Sequence, residues 1–332
     1  MSRNLMNWLV TLSLAMLSLL PGSASALPYS SLYVFGDSLA DSGNNAVVID
    51  ANFGGARTPT PLTEPLIPSF PYASNRYSNG PVWVEYLAAD LGLSAQPALL
   101  GGSNFAFGGA RTGPAGSSFP YSLTDQVGLF LGATGGIAPH SALYVVEGGG
   151  NDARDVLIAA LGGGNPTPLI QAYAQHMANL LTALALAGAD QFLLWNVPDI
   201  GKIPAITALG PQASAAASFL AAQMNLALAQ TLAGLAPDIT DGIHLFDAYD
   251  TIDAIVNAPG AFGFSNAQDA CAMSAACVAD PTGYFFWDGI HPTTAGHALM
   301  ATLALAELPE PGTILLLAVG LLGVVVARRR TS

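Results

Sequence analysis

A serine near the start of the sequence and a histidine near its end could together form a nucleophile and its base. Ser38 follows Gly36 and Asp37 directly after an apolar run, so a tight turn could project its hydroxyl into a crevice. A serine hydroxyl is a weak nucleophile unless a base lies within hydrogen-bond reach. Asp288 and His291 are three residues apart, a spacing that could place a carboxylate beside an imidazole. This pattern predicts acyl transfer, with His291 as the base for Ser38 and Asp288 as its orienting partner.

The same residues also have ordinary structural interpretations. Asp37 or Ser38 could cap a helix that follows a strand, because short polar side chains are common at such junctions. Asp288 could likewise cap the last helix of the chain and leave His291 at the surface. Each short motif alone leaves both interpretations open.

Two glycine-rich segments could supply hydrogen-bond donors to an oxyanion. Asn151 follows three glycines at the end of an apolar run, and its side-chain amide could donate such a bond. Gly108 and Gly109 follow another apolar run, where a backbone N–H without a neighbouring side chain could approach a substrate. The sequence does not choose between these two glycines, and an ordinary glycine turn is the alternative.

Composition excludes several classes of protein. The 332 residues are 52% hydrophobic and 9% charged, which excludes a disordered chain and a coiled coil. The 9 basic and 22 acidic residues give a net charge of −13, so nucleic acid is not an expected partner. No C-x-x-C pair or histidine-rich cluster supports zinc. Gly148, Gly150 and Ala153 fit a dinucleotide fingerprint but lack its acidic residue about 20 positions later, so no cofactor is expected.

The elements that must position these residues alternate between strands and helices. Short apolar runs rich in β-branched and aromatic residues predict strands at 32–35, 103–107, 142–146, 191–195 and 243–246. Apolar spacing and capping residues predict helices at 82–91, 124–131, 169–187, 212–235 and 293–306. This alternation predicts a parallel sheet covered by helices on both faces, with the site at the carboxyl ends of the strands.

The two ends of the chain differ from its body. Residues 1–26 combine Arg3, an apolar stretch and Ala24-Ser25-Ala26, which is typical of a secretory signal peptide. At the other end an apolar run, 313–327, precedes three arginines and is shorter than the roughly 20 residues that a membrane-spanning helix needs. Residues 27–306 are left as one domain. Cys271 and Cys277 lie close together within it, and in an exported protein they are candidates for a local disulfide.

Several blocks of the sequence together resemble the SGNH/GDSL hydrolase family. They are residues 35–39 with 41–45, residues 104–110, residues 149–152 and residues 288–291, all in family order, and residues 76–83 resemble a stretch of its longer, lipase-like members. The resemblance implies a flavodoxin-like three-layer α/β/α sandwich with about five parallel strands. It implies the catalytic residues Ser38, Asp288 and His291. It further implies an oxyanion hole formed by the backbone N–H groups of Ser38 and Gly109 and by the side chain of Asn151.

The C-terminal residues 307–332 resemble the PEP-CTERM sorting signal of exported bacterial proteins. Pro309-Glu310-Pro311, the short apolar run and the basic end all fit that signal. The resemblance implies transient anchoring in the inner membrane, cleavage near Pro309-Glu310-Pro311 by an exosortase-type protease, and release to the cell surface or an extracellular matrix. A permanent C-terminal anchor is the alternative.

The substrate expected from these residues is a carboxylic ester of a lipid or an acylated carbohydrate. Esterases, lipases, phospholipases and polysaccharide deacetylases share this set of residues, so the motifs do not distinguish them. Trp83, Phe119, Tyr121 and Phe286 could line an acyl pocket or pack in the core. A surface-binding protein that has lost catalysis is the competing interpretation from another class.

Overall fold

Four short apolar segments form a parallel β-sheet in a computed structural model of the protein, which describes residues 29–63, 66–114 and 119–309. The strands are β1 (Ser31–Phe35), β2 (Ala142–Val146), β3 (Gln191–Trp195) and β4 (Ile243–Phe246). They are hydrogen-bonded in the order β1-β2-β3-β4, and every neighbouring pair is parallel. All residues of β2 are buried, as expected of a strand that is covered on both faces of its sheet.

The prediction of a strand at 103–107 is wrong. Among the described residues the sheet therefore has four strands. This segment does lie along the free edge of β1, where Val34 N–H donates to Ser103 O (3.1 Å) and Phe105 N–H donates to Val34 O (2.7 Å). The backbone of Asn104 instead pairs with the preceding turn, because its N–H donates to Gln96 O and its carbonyl accepts from Ala98. Only an isolated bridge remains with β1. Together with this edge segment, the order along the sheet follows the flavodoxin-like pattern.

Eleven α-helices occur within the described residues. They are α1 (Asn44–Phe53), α2 (Trp83–Asp90), α3 (Leu123–Ala133), α4 (Gly150–Leu161), α5 (Thr167–Leu186), α6 (Pro204–Thr207), α7 (Pro211–Leu232), α8 (Pro237–Thr240), α9 (Ala248–Asn257), α10 (Ala275–Ala279) and α11 (Thr294–Leu305). The five predicted helices correspond to α2, α3, α5, α7 and α11, and Thr293 caps α11 as its type predicts. The other six helices, α1, α4, α6, α8, α9 and α10, were not predicted.

Aromatic contacts show that helices cover both faces of the sheet. Phe130 of α3 packs on Tyr33 and Tyr144, with ring centroids 4.7 and 6.0 Å apart. Trp83 of α2 stacks on Trp195 of β3 at 4.2 Å. Tyr144 is paired with Phe192, and Trp195 is an odd number of residues from Phe192, so the two aromatic groups lie on opposite faces. Helix α11 packs on α2, and α5 packs on α3 and α7. The expected α/β fold with helices on both sides of a parallel sheet is confirmed.

A second, small core lies apart from the sheet and contains the disulfide. Cys271 and Cys277 are bonded to each other, as the sequence suggested. They pack with Leu62, Tyr72 and Trp287. Ala272 N–H donates to Trp287 O (2.7 Å), so the disulfide loop is hydrogen-bonded to the chain directly before Asp288.

The described residues form one compact unit, Tyr29–Leu308. The predicted signal peptide and the residues from position 310 onwards lie outside the described residues, and so does the apolar run 313–327. Among the residues that the structure describes, no helix has the length and apolar character that crossing a membrane requires. The domain limits 27–306 remain a prediction.

Candidate active site

The three residues predicted to form a catalytic triad lie in one hydrogen-bonded chain. The Ser38 Oγ is 2.7 Å from Nε2 of His291, and Nδ1 of His291 is 2.8 and 3.0 Å from the two carboxylate oxygens of Asp288. All three side chains are buried, with Ser38 the most accessible at 8% exposure. If the Nδ1 of His291 carries the proton and donates to Asp288, Nε2 is left free to accept the proton of Ser38.

The exit of β1 is built to hold Ser38 at this edge of the sheet. Gln126 of α3 replaces a neighbouring strand there, because its side chain accepts from Gly36 N–H and donates to Gly36 O, both at 2.9 Å. The Asp37 carbonyl then accepts from the backbone N–H groups of Ala40 and Asp41, which closes a tight turn around Ser38. The nucleophile candidate therefore sits on a turn that the sheet and α3 fix together.

Asp288 accepts four hydrogen bonds in a fully buried position. Its Oδ1 accepts from the backbone N–H groups of Ile290 and His291, both at 2.8 Å, and the imidazole of His291 donates to the same carboxylate. The Tyr72 hydroxyl donates to Oδ2 at 2.9 Å. Hydrogen bonds of this kind stabilise a carboxylate without water. Asp288 is thus held in the orientation that keeps His291 facing Ser38.

The chain around residues 77–79 supports the other side of His291. The ring of Tyr77 lies 5.4 Å from the imidazole, centroid to centroid. Ser78 Oγ donates to Pro292 O (2.9 Å), and Asn79 Oδ1 accepts from Thr294 N–H (2.7 Å). The stretch that resembles lipase-like members therefore holds the loop that follows the histidine.

Asp41 distinguishes the two glycines that the sequence left open. Its carboxylate accepts from Gly43 and Asn44 in the turn that begins α1, and its Oδ2 accepts from Gly108 N–H at 3.0 Å. The Gly108 N–H is therefore occupied. Within the described residues, Gly109 N–H donates no hydrogen bond, and its φ of +84° requires the left-handed conformation that favours glycine.

The predicted oxyanion donors line one crevice. Ser38, Gly109 and Asn151 all border the same open space beside His291. Within the described part of the chain, Ser38 N–H, like Gly109 N–H, has no acceptor. Asn151 Nδ2 donates to Ala110 O at 2.9 Å and makes a longer contact, 3.3 Å, to Asp37 Oδ2. The side-chain amide of Asn151 has two N–H bonds, and the one that makes the longer contact to Asp37 is the one that an oxyanion could attract.

Two buried carboxyl groups lie directly beneath this site. Glu147 follows β2, and its Oε2 accepts from Asp37 N–H at 3.2 Å. Burial raises the pKa of Asp37 to about 6. Burial, and then the charge of Asp37, raise the pKa of Glu147 well above its ordinary value. A separate hydrogen bond between the two carboxyl side chains lowers the pKa of Asp37 and raises that of Glu147, so Glu147 is the more readily protonated of the two acids.

Two spaces of different character flank Ser38. The active-site crevice is open, with Phe53, Phe70 and Phe119 at its border and a volume of about 320 Å³. The apolar cavity is narrower, with a volume of about 50 Å³, and is bordered by Ile200 and other aliphatic side chains. Phe286 also borders the apolar cavity, as suggested from its type. Trp83 is instead buried in the core, and Tyr121 packs on Phe107 with ring centroids 5.0 Å apart.

Sequence reasoning missed Tyr72, Glu147 and Arg154. Tyr72 lies in a loop with no periodic pattern, so nothing nearby in the sequence indicates its contact with Asp288. Glu147 could have been noticed as a lone acid between an apolar strand and three glycines. Arg154 lies three residues after Asn151, which places both on one face of α4, but that helix was not predicted. Among the described residues, no group of acidic, histidine or cysteine side chains is arranged to hold a metal ion.

Comparison with protein families identifies two matching regions. The model described as GDSL-like Lipase/Acylhydrolase matches residues 32–304, which includes every residue of the hydrogen-bonded chain above. The model of the PEP-CTERM protein-sorting motif matches residues 307–330.

Curated proteins resemble this chain at modest identity. A GDSL esterase/lipase of Arabidopsis thaliana is 26% identical over 326 residues, covering 81% of this chain and 86% of the plant protein. The thermolabile hemolysin of Vibrio parahaemolyticus is 28% identical over 296 residues, covering 80% of this chain and 60% of the hemolysin. A Pseudomonas putida protein of the trpE–trpG intergenic region is 27% identical over 93% of this chain, which spans about half (54%) of that protein.

Proposed function

Because the chain belongs to the GDSL-like lipase/acylhydrolase family, we propose that it is an exported esterase that cleaves carboxylic esters through an acyl-enzyme on Ser38. One observation carries this proposal: Ser38 Oγ, His291 and Asp288 form an unbroken hydrogen-bonded chain at the border of an open crevice. A serine within 2.7 Å of an imidazole that a carboxylate orients has the geometry of an activated nucleophile. A protein that had lost catalysis would have no need to keep this alignment.

In the first step Ser38 Oγ attacks the carbonyl carbon of the ester, and its proton passes to Nε2 of His291. The carbonyl oxygen takes up the negative charge and accepts from the N–H groups of Ser38, Gly109 and Asn151. Donors fixed in place before the reaction stabilise such an oxyanion strongly, by about 3–4 kcal/mol each in other hydrolases. The buried carboxylate of Asp288 stabilises the imidazolium that forms.

In the second step the tetrahedral intermediate collapses and breaks the bond to the alcohol. The imidazolium of His291 returns its proton to the leaving alkoxide, and the acyl group stays on Ser38. Water then attacks the acyl-enzyme, with the same imidazole as base, and releases the acid and the free serine. These reaction steps need only water and the side-chain and backbone groups of the protein.

The cellular location of the enzyme is the second part of the proposal. The sorting motif at 307–330 implies processing of the exosortase type and a protein sorted to the cell surface. We propose that residues 1–26 direct export, and that residues 307–332 anchor the chain in the inner membrane until cleavage near Pro309-Glu310-Pro311. The substrate would then be a lipid or an acylated carbohydrate outside the cell.

The proposal is tested with Ser38→Ala and a short-chain p-nitrophenyl ester. We expect the turnover of the Ser38→Ala variant to fall by about 10⁴-fold or more, since the nucleophile is removed while the fold is retained. The wild-type enzyme should also be labelled covalently by a fluorophosphonate, and the variant should not.

Ser94→Ala is the matched control, because Ser94 is exposed and lies outside the crevice. It should keep the wild-type rate and labelling. Retained turnover in Ser38→Ala, or labelling of both the wild type and that variant at a different residue, would refute the assignment of the nucleophile.

A further inference from the structure

Arg154 differs from the other basic side chains of the described residues. Arg57, Arg76, Arg111 and Lys202 each form an ion pair with a carboxylate, at N–O distances between 2.5 and 2.8 Å. Arg154 forms no ion pair or hydrogen bond with any described residue, although it is partly buried. A partly buried guanidinium without an acceptor is costly, because its N–H groups lose water and gain no partner.

The position of Arg154 connects it to the candidate chemistry. It borders the active-site crevice and the apolar cavity alike, together with Ser38, Asn151 and Ile290. It lies three residues after Asn151 on α4, so both side chains lie on the same face of that helix. The next residue, Asp155, lies on the neighbouring face and binds Arg111 in a two-pronged ion pair, with N–O distances of 2.6 and 2.8 Å.

The electrostatic surroundings leave the charge of Arg154 largely uncompensated. Burial and then the neighbouring Arg111 lower the pKa of Arg154, which shows an environment unfavourable to its cation. Asp155 and Asp37 act in the opposite direction, but neither contacts the guanidinium. An arginine remains protonated in proteins all the same. The crevice therefore presents a fixed positive charge beside Ser38 in a chain whose net charge is −13.

We propose that Arg154 binds an anionic group of the substrate, a phosphate or a carboxylate close to the scissile ester, and that the substrate is an anionic acyl ester with an apolar chain. This inference rests on the proposed function and specifies its substrate class. A guanidinium pairs with phosphate or carboxylate through two parallel hydrogen bonds, which fits a side chain that has five donors and no partner among the described residues. The acidic surface repels anions at long range, so selectivity for such a substrate must come from this local contact.

The apolar cavity favours an amphiphile over an acetylated sugar. Ser38 borders the cavity, and most of the other lining side chains are apolar, with Leu39, Ile203, Ile252 and Met300 among them. An acyl chain in that cavity would remain beside the ester carbonyl, while the alcohol side would extend past Arg154 into the open crevice. The anionic group should therefore lie on the alcohol part, a few bonds from the ester oxygen.

The test compares two esters that differ in one phosphate. We would measure kcat/KM for 1-octanoyl-glycerol and 1-octanoyl-glycerol 3-phosphate below their aggregation concentrations. The wild type should prefer the phosphate ester, and Arg154→Gln should reduce that preference by about tenfold or more, as expected for the loss of a charged hydrogen bond. Arg154→Lys should retain part of the preference, because it keeps the charge but not the two-pronged geometry.

Arg111→Gln is the matched control. It removes one positive charge from the same crevice, but from an arginine that Asp155 already neutralises. Its effect on the preference should be clearly smaller than that of Arg154→Gln. An equal loss in the two variants would mean that the general field of the crevice selects the substrate, and it would overturn the specific role of Arg154.

Binding without turnover provides a second readout. Octyl phosphate should bind the Ser38→Ala variant more weakly when Arg154→Gln is added, by a similar factor, in calorimetric titration. An unchanged preference and unchanged binding in Arg154→Gln would overturn the inference while leaving the esterase proposal intact. If the charge effect occurs only with O-acetylated galacturonate relative to O-acetylated galactose, the assignment of an amphiphile is overturned. Absence of hydrolysis of every ester by the wild type would instead contradict the proposed function itself.

Discussion

The two halves of the candidate site are held by different physical means. On the Ser38 side, buried polar groups in the main core bind one another: Asn44 Nδ2 donates to the carbonyls of Asn104 and Ala106 at 2.8 and 2.9 Å, and Asn104 Nδ2 donates to Ala40 O at 2.7 Å. On the His291 side, Phe286 and Ile290 contact the main core, and Trp287 between them packs with the disulfide in a small separate core.

From this difference we predict whether a substitution in each half mainly lowers stability or turnover. Buried polar networks contribute to folding only while every member is satisfied, so a change on the Ser38 side should lower the stability of the whole domain. Trp287, directly before Asp288, packs in the small core rather than against the sheet, so we expect a change on the His291 side to affect turnover more than stability. The following substitutions test this contrast, in order of decreasing effect.

Asp288→Asn should have the largest effect, and it should fall on kcat. The amide can no longer fix the imidazole tautomer or stabilise the imidazolium, and in a comparable triad this change lowers kcat by about 10⁴-fold. The melting temperature should change by only a few degrees. Ester hydrolysis and thermal unfolding, measured on the same preparation, test both parts. A kcat within tenfold of the wild type would show that Asp288 does not orient the base.

Asp41→Ala should mainly destabilise the fold. It leaves the N–H groups of Gly43, Asn44 and Gly108 without their acceptor in a buried site, which we expect to cost about 3–5 kcal/mol of unfolding free energy. Urea denaturation measures this loss. Asp50→Ala, on the exposed surface of α1, is the control and should cost less than about 1 kcal/mol. Equal losses in both would mean that the network around Asp41 contributes no special stability.

Replacing both Cys271 and Cys277 by serine should have an intermediate effect. A disulfide that closes so short a loop stabilises the folded state by about 2 kcal/mol, chiefly by restricting the unfolded chain. Because the loop is bonded to Trp287, activity should also decline at temperatures below the global transition. Wild-type protein treated with dithiothreitol should behave in the same way. If activity and the main fold are lost at the same temperature, the loop of His291 is not held separately from the main core.

Glu147→Gln should produce the smallest effect, visible as a change in pH dependence. The pKa of Glu147 is raised in the folded state above its ordinary value of 4.5, so the folded protein holds a proton that the unfolded chain releases. The contribution of Glu147 to the free energy of unfolding is fully present below pH 4.5, and it is lost as the pH rises through the pKa of the folded state. Glutamine does not titrate, so the variant should gain melting temperature relative to the wild type between pH 4.5 and pH 8. A constant difference across that range would contradict a raised pKa of Glu147 in the folded protein.

Much of the fold could be predicted from local pattern. The strands β2, β3 and β4 begin and end at the predicted residues. For β2 the physical reason is clear, because a strand buried on both faces must be apolar along its whole length. The segment 103–107 has the same composition but does not form a strand, since its backbone pairs with the turn before it. Helix α4 was missed because its first turn carries Gly150, Asn151 and Asp152 rather than an apolar stripe.

The candidate site could be predicted only in part. The motifs named the side chains that come together at Ser38 and His291, because those side chains lie within short recognisable patterns. The contacts that support them come from distant loops. Tyr72 reaches Asp288 across 216 positions of sequence, and no local pattern encodes that approach. That Arg154 forms no ion pair within 29–63, 66–114 and 119–309 likewise depends on how the fold arranges its neighbours, and it cannot be read from residue type.

The separation of Ser38 and His291 by 253 positions has a consequence for biosynthesis. A ribosome completes the nucleophile turn long before it adds the base, so a nascent or truncated polypeptide ending before residue 288 carries a serine without its imidazole. By the proposed mechanism, hydrolytic competence therefore requires synthesis of nearly the whole chain, at least to residue 291.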